Sequence, residues 1–376
     1  MKILYVTDAL AIWGGLERII INKVNLLADL YGYDMYLITL NQGHHSIPYP
    51  LSPQINYSDL EIQTHKQYDY KGIHRLFERG RLIRLFQKKI RQKIQEISPD
   101  VIVCVRIGLV KTIAKEKSDI PLVYESHTYR KVSELVGLDS FTWVKVVLNR
   151  RSEKIPQMVI TLTEGDANDW RNTNPNVRVI PNVVNLNTTG RCCDYNARSV
   201  IFVGRFSAQK DIKSLLEVWK IVHEKHSDWQ LHIYGGYGEE QSSILPIIER
   251  MNTSVKVFEP TPDIMSRYLE SSIMMMTSLY EPFGLVLPEA MSCGLPVVAF
   301  DCPYGPADII NDGVDGFLIK NRDIHEFAKK VCLLMDDISL RKKMGQVGIV
   351  SSQRYSAKRI MPKWKELFEQ LLDKKE

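Results

Sequence analysis

Glu281 and Glu289 stand eight positions apart, separated by a stretch that opens Pro282-Phe283-Gly284-Leu285. The stretch reads as a loop that turns at Gly284 and then a helix through Glu289, Ala290 and Met291. Backbone N–H groups at a helix start lack partners within the helix and attract bound anions. Glu289 is expected about two helical turns from Glu281, too far for a tight acid–base dyad. The two carboxylates suit a grip on different parts of an extended ligand, for example the hydroxyls of two sugar rings. A capped surface helix with two solvated glutamates fits the same spacing, because exposed glutamate is common.

Other candidates carry less information by themselves. Gly14-Gly15 lets backbone approach a phosphate closely at a helix start. Residues 14–19 read Gly-Gly-Leu-Glu-Arg-Ile and residues 236–241 read Gly-Tyr-Gly-Glu-Glu-Gln. Neither completes G-x-G-x-x-G, which counts against a nicotinamide or flavin enzyme. Glu17 suits the first turn of a helix, where an acid complements the dipole. His127 follows an apolar run that ends at Tyr124. A lone histidine is more often structural than catalytic, but a strand end is where an open α/β sheet places its ligand. Asp8, at the end of the first apolar run, is a lesser candidate for the same reason. The six cysteines form no C-x-x-C pair, so neither a zinc site nor a redox dithiol is suggested. They read as free thiols of a reducing cytoplasm.

The elements that must position these residues alternate between apolar strands and amphipathic helices. Strands are expected at Ile3–Val6, Met35–Leu40, Val101–Val105, Leu122–Tyr124 and Met158–Leu162, with helices from about Glu17 to Leu30 and Ile73 to Ile97. Val179 to Asn182 reads as a short strand that runs into a polar linker over residues 184–198. A second series then begins, with strands at Ser199–Val203, Gln230–Tyr234, Ile273–Thr277 and Pro296–Phe300. Short apolar strands separated by helices mean parallel sheets covered on both faces. The expected fold class is α/β, two doubly wound halves in series. Their binding site is expected in the cleft between them, at the carboxyl ends of the strands.

Composition agrees with a soluble two-domain chain of 376 residues with 44% apolar and 25% charged residues. A net charge of +5 is too mild to imply nucleic acid. No apolar run reaches the ~20 residues that a membrane span needs, and the first strand is too short for a signal peptide.

The segment EPFGLVLPEAMSCGLPVVA, residues 281–299, resembles the E-x₇-E signature of the family 4 glycosyltransferases. Further matches follow in order: Gly14-Gly15-Leu16-Glu17, Ile180-Pro181-Asn182, Val203-Gly204-Arg205-Phe206 with Lys210, and Asp312-Gly313-Val314-Asp315-Gly316-Phe317. The resemblance covers nearly the whole chain and is most specific in its C-terminal half. It implies a GT-B fold of two Rossmann-like domains: 1–183 on the acceptor side, 184–352 binding the nucleotide-sugar, and a helix over 353–376 crossing back.

The resemblance also implies roles. Glu289 binds the ribose hydroxyls, and Glu281 contacts the transferred sugar. Backbone amides of Phe283, Gly284 and Leu285 hold the sugar and diphosphate. Gly14, Gly15 and Gly204 line the donor site, and His127 sits beside the donor sugar. Arg205 and Lys210 neutralise the diphosphate, a leaving group that gains negative charge as the glycosidic bond breaks. Two fixed cations there favour the transition state over the ground state. An exposed basic loop is the ordinary alternative for that pair. Retention by double displacement needs a carboxylate nucleophile, whereas the resemblance implies front-face attack assisted by the donor phosphate. No D-x-D triplet occurs in a suitable loop, so neither metal nor cofactor is expected.

The implied activity is transfer of a hexosyl or N-acetylhexosaminyl unit, with retention, from a UDP-sugar in preference to a GDP-sugar. The acceptor is a glycan or lipid-linked glycan of cell-surface polysaccharide. A non-catalytic nucleotide-sugar-binding subunit and a nucleotide-sugar epimerase on the same fold are the rival readings. From Lys71 to Lys93 there are nine basic residues and one acid, Glu78, with Ile73, Leu76, Phe77, Ile83, Phe86 and Ile90 on one helical face. A helix of this kind docks on an anionic membrane or packs with its basic side in water. The expected location is the cytoplasm, with peripheral contact to the inner face of the plasma membrane through 71–93.

Overall fold

The computed structural model describes residues 1–131, 150–251 and 253–373. The chain divides into two compact units, Met1–Val183 with Ile360–Glu376, and Val184–Arg359.

The first unit is built on a seven-stranded parallel sheet in the order β3-β2-β1-β4-β5-β6-β7. The strands are β1 Lys2–Thr7, β2 Asp34–Thr39, β3 Asn56–Asp59, β4 Val101–Cys104, β5 Leu122–Glu125, β6 Met158–Thr161 and β7 Val177–Val179. Described helices are α1 Gly15–Tyr31, α2 Gly72–Ile97, α3 Ile107–Glu116 and α4 Glu164–Arg171. The central strands are apolar throughout because helices cover both faces, leaving Leu4, Val6, Ile102 and Val103 fully buried. β3 reads Asn-Tyr-Ser-Asp and has no buried residue, since an edge strand is held by its backbone pairing with β2. The β7 strand stops at Val179, ahead of the expected Val179–Asn182 run. Ile180 donates one more bond to Thr161 O, and Pro181 has no N–H with which to continue the ladder.

The second unit has a six-stranded parallel sheet in the order β10-β9-β8-β11-β12-β13. Its strands are β8 Ser199–Val203, β9 Gln230–Tyr234, β10 Val255–Phe258, β11 Ile273–Met276, β12 Val297–Phe300 and β13 Gly316–Ile319. The helices are α5 Ile212–Lys225, α6 Gln241–Arg250, α7 Ile264–Leu269, α8 Val286–Ser292, α9 Gly305–Ile309, α10 Ile324–Asp336 and α11 Ile338–Ser352. α5 and α10 bring Trp219 and Phe327 onto Val200, Phe202, Ile233 and Phe300 in one core. The polar stretch 184–198, expected as a linker, is tied to this unit. Val184 N–H donates to Tyr355 O, Cys193 N–H to Cys293 O, and the buried Arg341 donates to Tyr195 O at 2.8 Å. Its backbone groups are satisfied by neighbours where a free connector relies on water.

The last helix, α12 Ala357–Asp373, buries Ile360, Met361, Trp364, Leu367 and Phe368. Trp364 faces Lys23, and the Phe368 ring lies 6.4 Å from that of Tyr33, so from Ile360 onward the helix belongs to the first unit's core. Residues 353–359 stay with the second unit, where the Tyr355 ring packs edge-on to Phe283 at 5.2 Å.

Each sheet reverses its strand order once. In the first unit the chain builds outward from β1 and then crosses to β4; in the second it builds outward from β8 and then crosses to β11. In a doubly wound sheet the ligand crevice opens at the carboxyl ends of the strands flanking this reversal.

Candidate active site

At the reversal of the second sheet, β8 runs into residues 204–211 and β11 into residues 277–285. The two loops are laced together. Leu279 N–H donates to Gln209 O at 2.7 Å, the Gln209 amide donates to Tyr280 O at 3.0 Å, and the Thr277 hydroxyl donates to Lys210 O at 3.0 Å. Arg322, just after β13, donates to Thr277 O and Ser278 O at 3.0 Å each and pairs with Asp211. One guanidinium therefore spans both loops, using the fork geometry that lysine lacks. Gly235 and Gly238, both at positive φ, let the loop after β9 press on the backbone of Gly204 and Phe206.

This lacing brings Lys210 against Glu281. The Lys210 ammonium pairs with Glu281 Oε1, and the Ser278 hydroxyl donates to the same oxygen at 2.7 Å. Glu281 is buried and its backbone is clamped by the loop after β12. Its N–H donates to Pro303 O at 2.7 Å, and its carbonyl accepts from Tyr304 and Gly305 N–H at 2.9 Å each. An ammonium has three donors, and Glu281 engages one. Arg205 is exposed and makes no hydrogen bond or ion pair among the described residues. It lies within electrostatic reach of Tyr280: burial and then the Glu281 and Glu239 carboxylates push that phenol above its ordinary value, while the Arg205 guanidinium pulls it down. The pair Lys210–Glu281 is close to neutral, so Arg205 carries the uncompensated positive charge of this loop cluster.

The chain then turns at Gly284, whose φ of +91° disfavours any residue with a Cβ. Helix α8 begins only at Val286. Glu289 therefore lies in its first turn, and a loop, rather than the two helical turns expected, separates it from Glu281. Glu289 is 2% exposed. Among the described residues the N–H groups of Phe283, Gly284 and Leu285 donate no hydrogen bond within the protein. Successive unpaired N–H groups in a turn form a concave donor set for an anion. A Cβ on Gly305 would overlap Phe283 O, so that glycine lets the loop after β12 lie directly under this turn.

In the first unit, the β5 end carries Glu125 and His127. Lys23, buried on α1, pairs with Glu125 Oε1 and lies 4.5 Å from the centre of the Trp364 ring. His127 Nε2 is 3.0 Å from the same Glu125 oxygen, without the alignment of a hydrogen bond. Burial, followed by the Lys23 cation, holds the His127 imidazole well below its usual value. It is neutral at physiological pH. The ring's NMR signals are expected to remain those of neutral imidazole as pH falls through about 6.5. The His127 contribution to stability is present above that value and is lost as pH falls towards the depressed one, because the unfolded chain then binds the proton first. Gly14 caps α1 without positive φ; a Cβ there would collide with the Glu17 carboxylate, so Glu17 is folded back on the glycine. Asp8 accepts from the Asn41 amide and lies 3.4 Å from Arg106, at the reversal between β1 and β4.

Residues 13–188 match the family described as Glycosyltransferase Family 4, and residues 194–349 match Glycosyl transferases group 1. An amylovoran biosynthesis glycosyltransferase of Erwinia amylovora is 29% identical over 97% of this chain and 99% of its own length. Among solved structures, sucrose-phosphate synthase from Thermosynechococcus elongatus matches with a TM-score of 0.81 at 18% identity, over 99% of each chain. A mutant of S. aureus TarM in complex with fondaparinux, alpha-GlcNAc-glycerol and UDP matches with a TM-score of 0.77 at 17% identity, over 98% of this chain and 99% of that one. These likenesses are to GT-B folds.

This chain is a family 4 glycosyltransferase.

The transferase holds its expected second-unit residues, Gly204, Arg205, Lys210, Glu281, Phe283, Gly284, Leu285 and Glu289, in two loops and one short helix around a single strand reversal. Gly14, Gly15 and His127 belong to the first unit. Sequence reading missed Ser278, Gln209, Asp211 and Arg322, which brace the transferase's loops. Ser278 sits three residues before Glu281, a local spacing that signals its hydroxyl as a partner for that carboxylate. Arg322 lies 111 residues from Asp211, and no local pattern announces the pair. Among the described residues the glycosyltransferase has no cluster of three metal-ligating side chains and no helix long and apolar enough to cross a membrane. Its six cysteines are all free thiols.

Proposed function

We propose that this glycosyltransferase moves a hexosyl or N-acetylhexosaminyl unit, with retention, from a UDP-sugar to a glycan or lipid-linked glycan in cytoplasmic assembly of a cell-surface polysaccharide. The observation that carries the reading is the Lys210–Glu281 pair with exposed Arg205 beside it and the unpaired N–H groups of Phe283, Gly284 and Leu285 following it. This is a donor set for a diphosphate next to an acceptor set for sugar hydroxyls. The relative from Erwinia amylovora, whose name assigns it to amylovoran biosynthesis, supports a polysaccharide product. UDP in the TarM complex supports the base.

In front-face transfer the bond between the anomeric carbon and the β-phosphate oxygen breaks as the acceptor oxygen attacks from the same side. The acceptor proton passes to the departing phosphate oxygen, giving a glycoside and a nucleoside diphosphate. Arg205 and the free donors of Lys210 stabilise the growing charge on the diphosphate. Glu281 orients that ammonium and binds sugar hydroxyls, and Glu289 takes the ribose. Charge is met by cations and amides, so no metal is required.

Calorimetry with a panel of UDP-, GDP- and ADP-sugars tests the donor, and turnover in EDTA tests the metal. A UDP-sugar is expected to bind at least tenfold more tightly than the others, and activity is expected to survive the chelator. Absence of binding by every member of the panel overturns the donor reading; loss of turnover in EDTA overturns the metal-free mechanism.

A further inference from the structure

Helix α2 does not use its apolar residues as one face. Leu82, Phe86, Ile90, Ile94 and Ile97 are buried and pack into the first unit's core. Ile73, Leu76, Phe77 and Ile83 are exposed, by 63%, 64%, 72% and 45% respectively. At about 100° per residue, this second set lies roughly 90° around the helix from the first. The face expected over 73–90 is thus two stripes. Its C-terminal half is core, and its N-terminal half projects from the domain, every residue from Lys71 to Phe77 being exposed. Tyr68 and Tyr70, in the turn that leads into α2, add exposed rings of 65% and 48%, and the Arg75 guanidinium lies over the Tyr68 ring at 4.4 Å.

Cations border this projecting apolar stripe. Among the described residues the side chains of Lys71, Arg79, Arg84 and Lys88 make no ion pair and no hydrogen bond. The cations engaged elsewhere are Arg81 with Glu78, Arg91 with Glu116, Lys89 with Leu60 O and Lys93 with Glu96. Four exposed large apolar side chains in about three turns are too many for a merely solvated helix, and a contiguous exposed apolar patch marks an interaction surface. Uncompensated cations beside it select a partner that is apolar at its interior and anionic at its surface. Tyrosines at the edge of the patch suit the headgroup level, where one end of the ring is wet.

We infer that residues 68–88 form a membrane-docking surface for anionic lipid, with Ile73, Leu76, Phe77 and Ile83 entering the acyl boundary and Lys71, Arg79, Arg84 and Lys88 meeting lipid phosphates. The surface belongs to the first unit and shares no residue with the proposed transfer site, so it does not depend on the donor reading. A membrane-held enzyme gains access to an acceptor that carries a lipid, because its search becomes two-dimensional.

The test is flotation of the full-length protein with vesicles of phosphatidylcholine mixed with phosphatidylglycerol, against vesicles of phosphatidylcholine alone, at low and high salt. The expected result is binding to the anionic vesicles that weakens with salt. A Leu76→Gln/Phe77→Gln variant and an Arg79→Glu/Arg84→Glu variant should each weaken it at least tenfold. These side chains are exposed, so both variants should retain wild-type nucleotide-sugar turnover on a water-soluble acceptor. Equal binding to both vesicle types, no binding at low salt, or vesicle binding unchanged in the two variants overturns the inference. So does self-association in sedimentation velocity that is abolished by Leu76→Gln/Phe77→Gln without any vesicle binding, which assigns the stripe to a second copy of the chain. Because flotation uses no donor, its failure leaves the transfer reading standing, and inactivity of a vesicle-bound enzyme leaves the docking surface standing.

Discussion

Replacing Lys210 with alanine is expected to lower kcat by at least tenfold and, if the ammonium acts fully on the leaving diphosphate, by about 10²–10³, the range for removing one preorganised charge-stabilising donor. Two losses combine. On the proposed mechanism the departing diphosphate loses a cation that works mainly in the transition state, so kcat should fall more than the donor KM rises. Glu281, clamped in a buried loop, also loses its counter-charge while keeping only the Ser278 hydroxyl. Steady-state kinetics at saturating donor separate these contributions when Lys210→Ala is compared with Lys210→Ala/Glu281→Gln. The double variant removes the stranded carboxylate and should recover thermal stability without recovering kcat. Wild-type-like turnover in Lys210→Ala would remove the leaving-group role of this lysine. A double variant that recovers kcat would show that the lysine serves Glu281 rather than the diphosphate.

Lys23→Met should destabilise the protein by about 3–5 kcal/mol, the usual cost of removing one partner of a buried ion pair. Lys23 is 2% exposed and Glu125 is fully buried, so little solvent screening softens the loss. Against a typical stability of about 5–15 kcal/mol, that is a large share. Lys23→Met/Glu125→Leu should recover most of it, since two apolar groups of similar shape avoid the desolvation cost of both charges. Urea unfolding followed by tryptophan fluorescence reports the difference. An unchanged midpoint in Lys23→Met means that the pair contributes nothing net. His127 supplies a second readout. With the cation gone and burial unchanged, its imidazole should titrate at a higher pH than in the wild type, a sign that a purely structural lysine distant from the ring would not produce.

Much of the architecture was legible because it is local. Runs such as Ile3–Val6, Val101–Val105 and Ile273–Met276 are apolar throughout, and only strands covered on both faces need that. The strands missed were β3, β10 and β13, all of which lie at the edges of their sheets. An edge strand needs fewer apolar residues, and β3 has none that is buried, so its pattern resembles a loop. The 184–198 stretch reads as a connector because it is polar. Its packing on Tyr355, Cys293 and Arg341 comes from residues about a hundred or more positions away.

The sequence by itself determined the family, the two alternating series and the segment from Glu281 to Glu289. Those rest on residue types within short windows, where spacing translates directly into strand, turn or helix. Tertiary structure alone decided that Glu281 shares its oxygen with Lys210, 71 residues earlier, and that Lys23 and Glu125, 102 residues apart, form a buried pair under His127. It also decided that α2 splits its apolar residues between a core stripe and an exposed one. Periodicity states which side chains are apolar. Which neighbour, if any, each one meets depends on the order in which strands join the sheet and on where a helix outruns the domain, and neither is written in a local window.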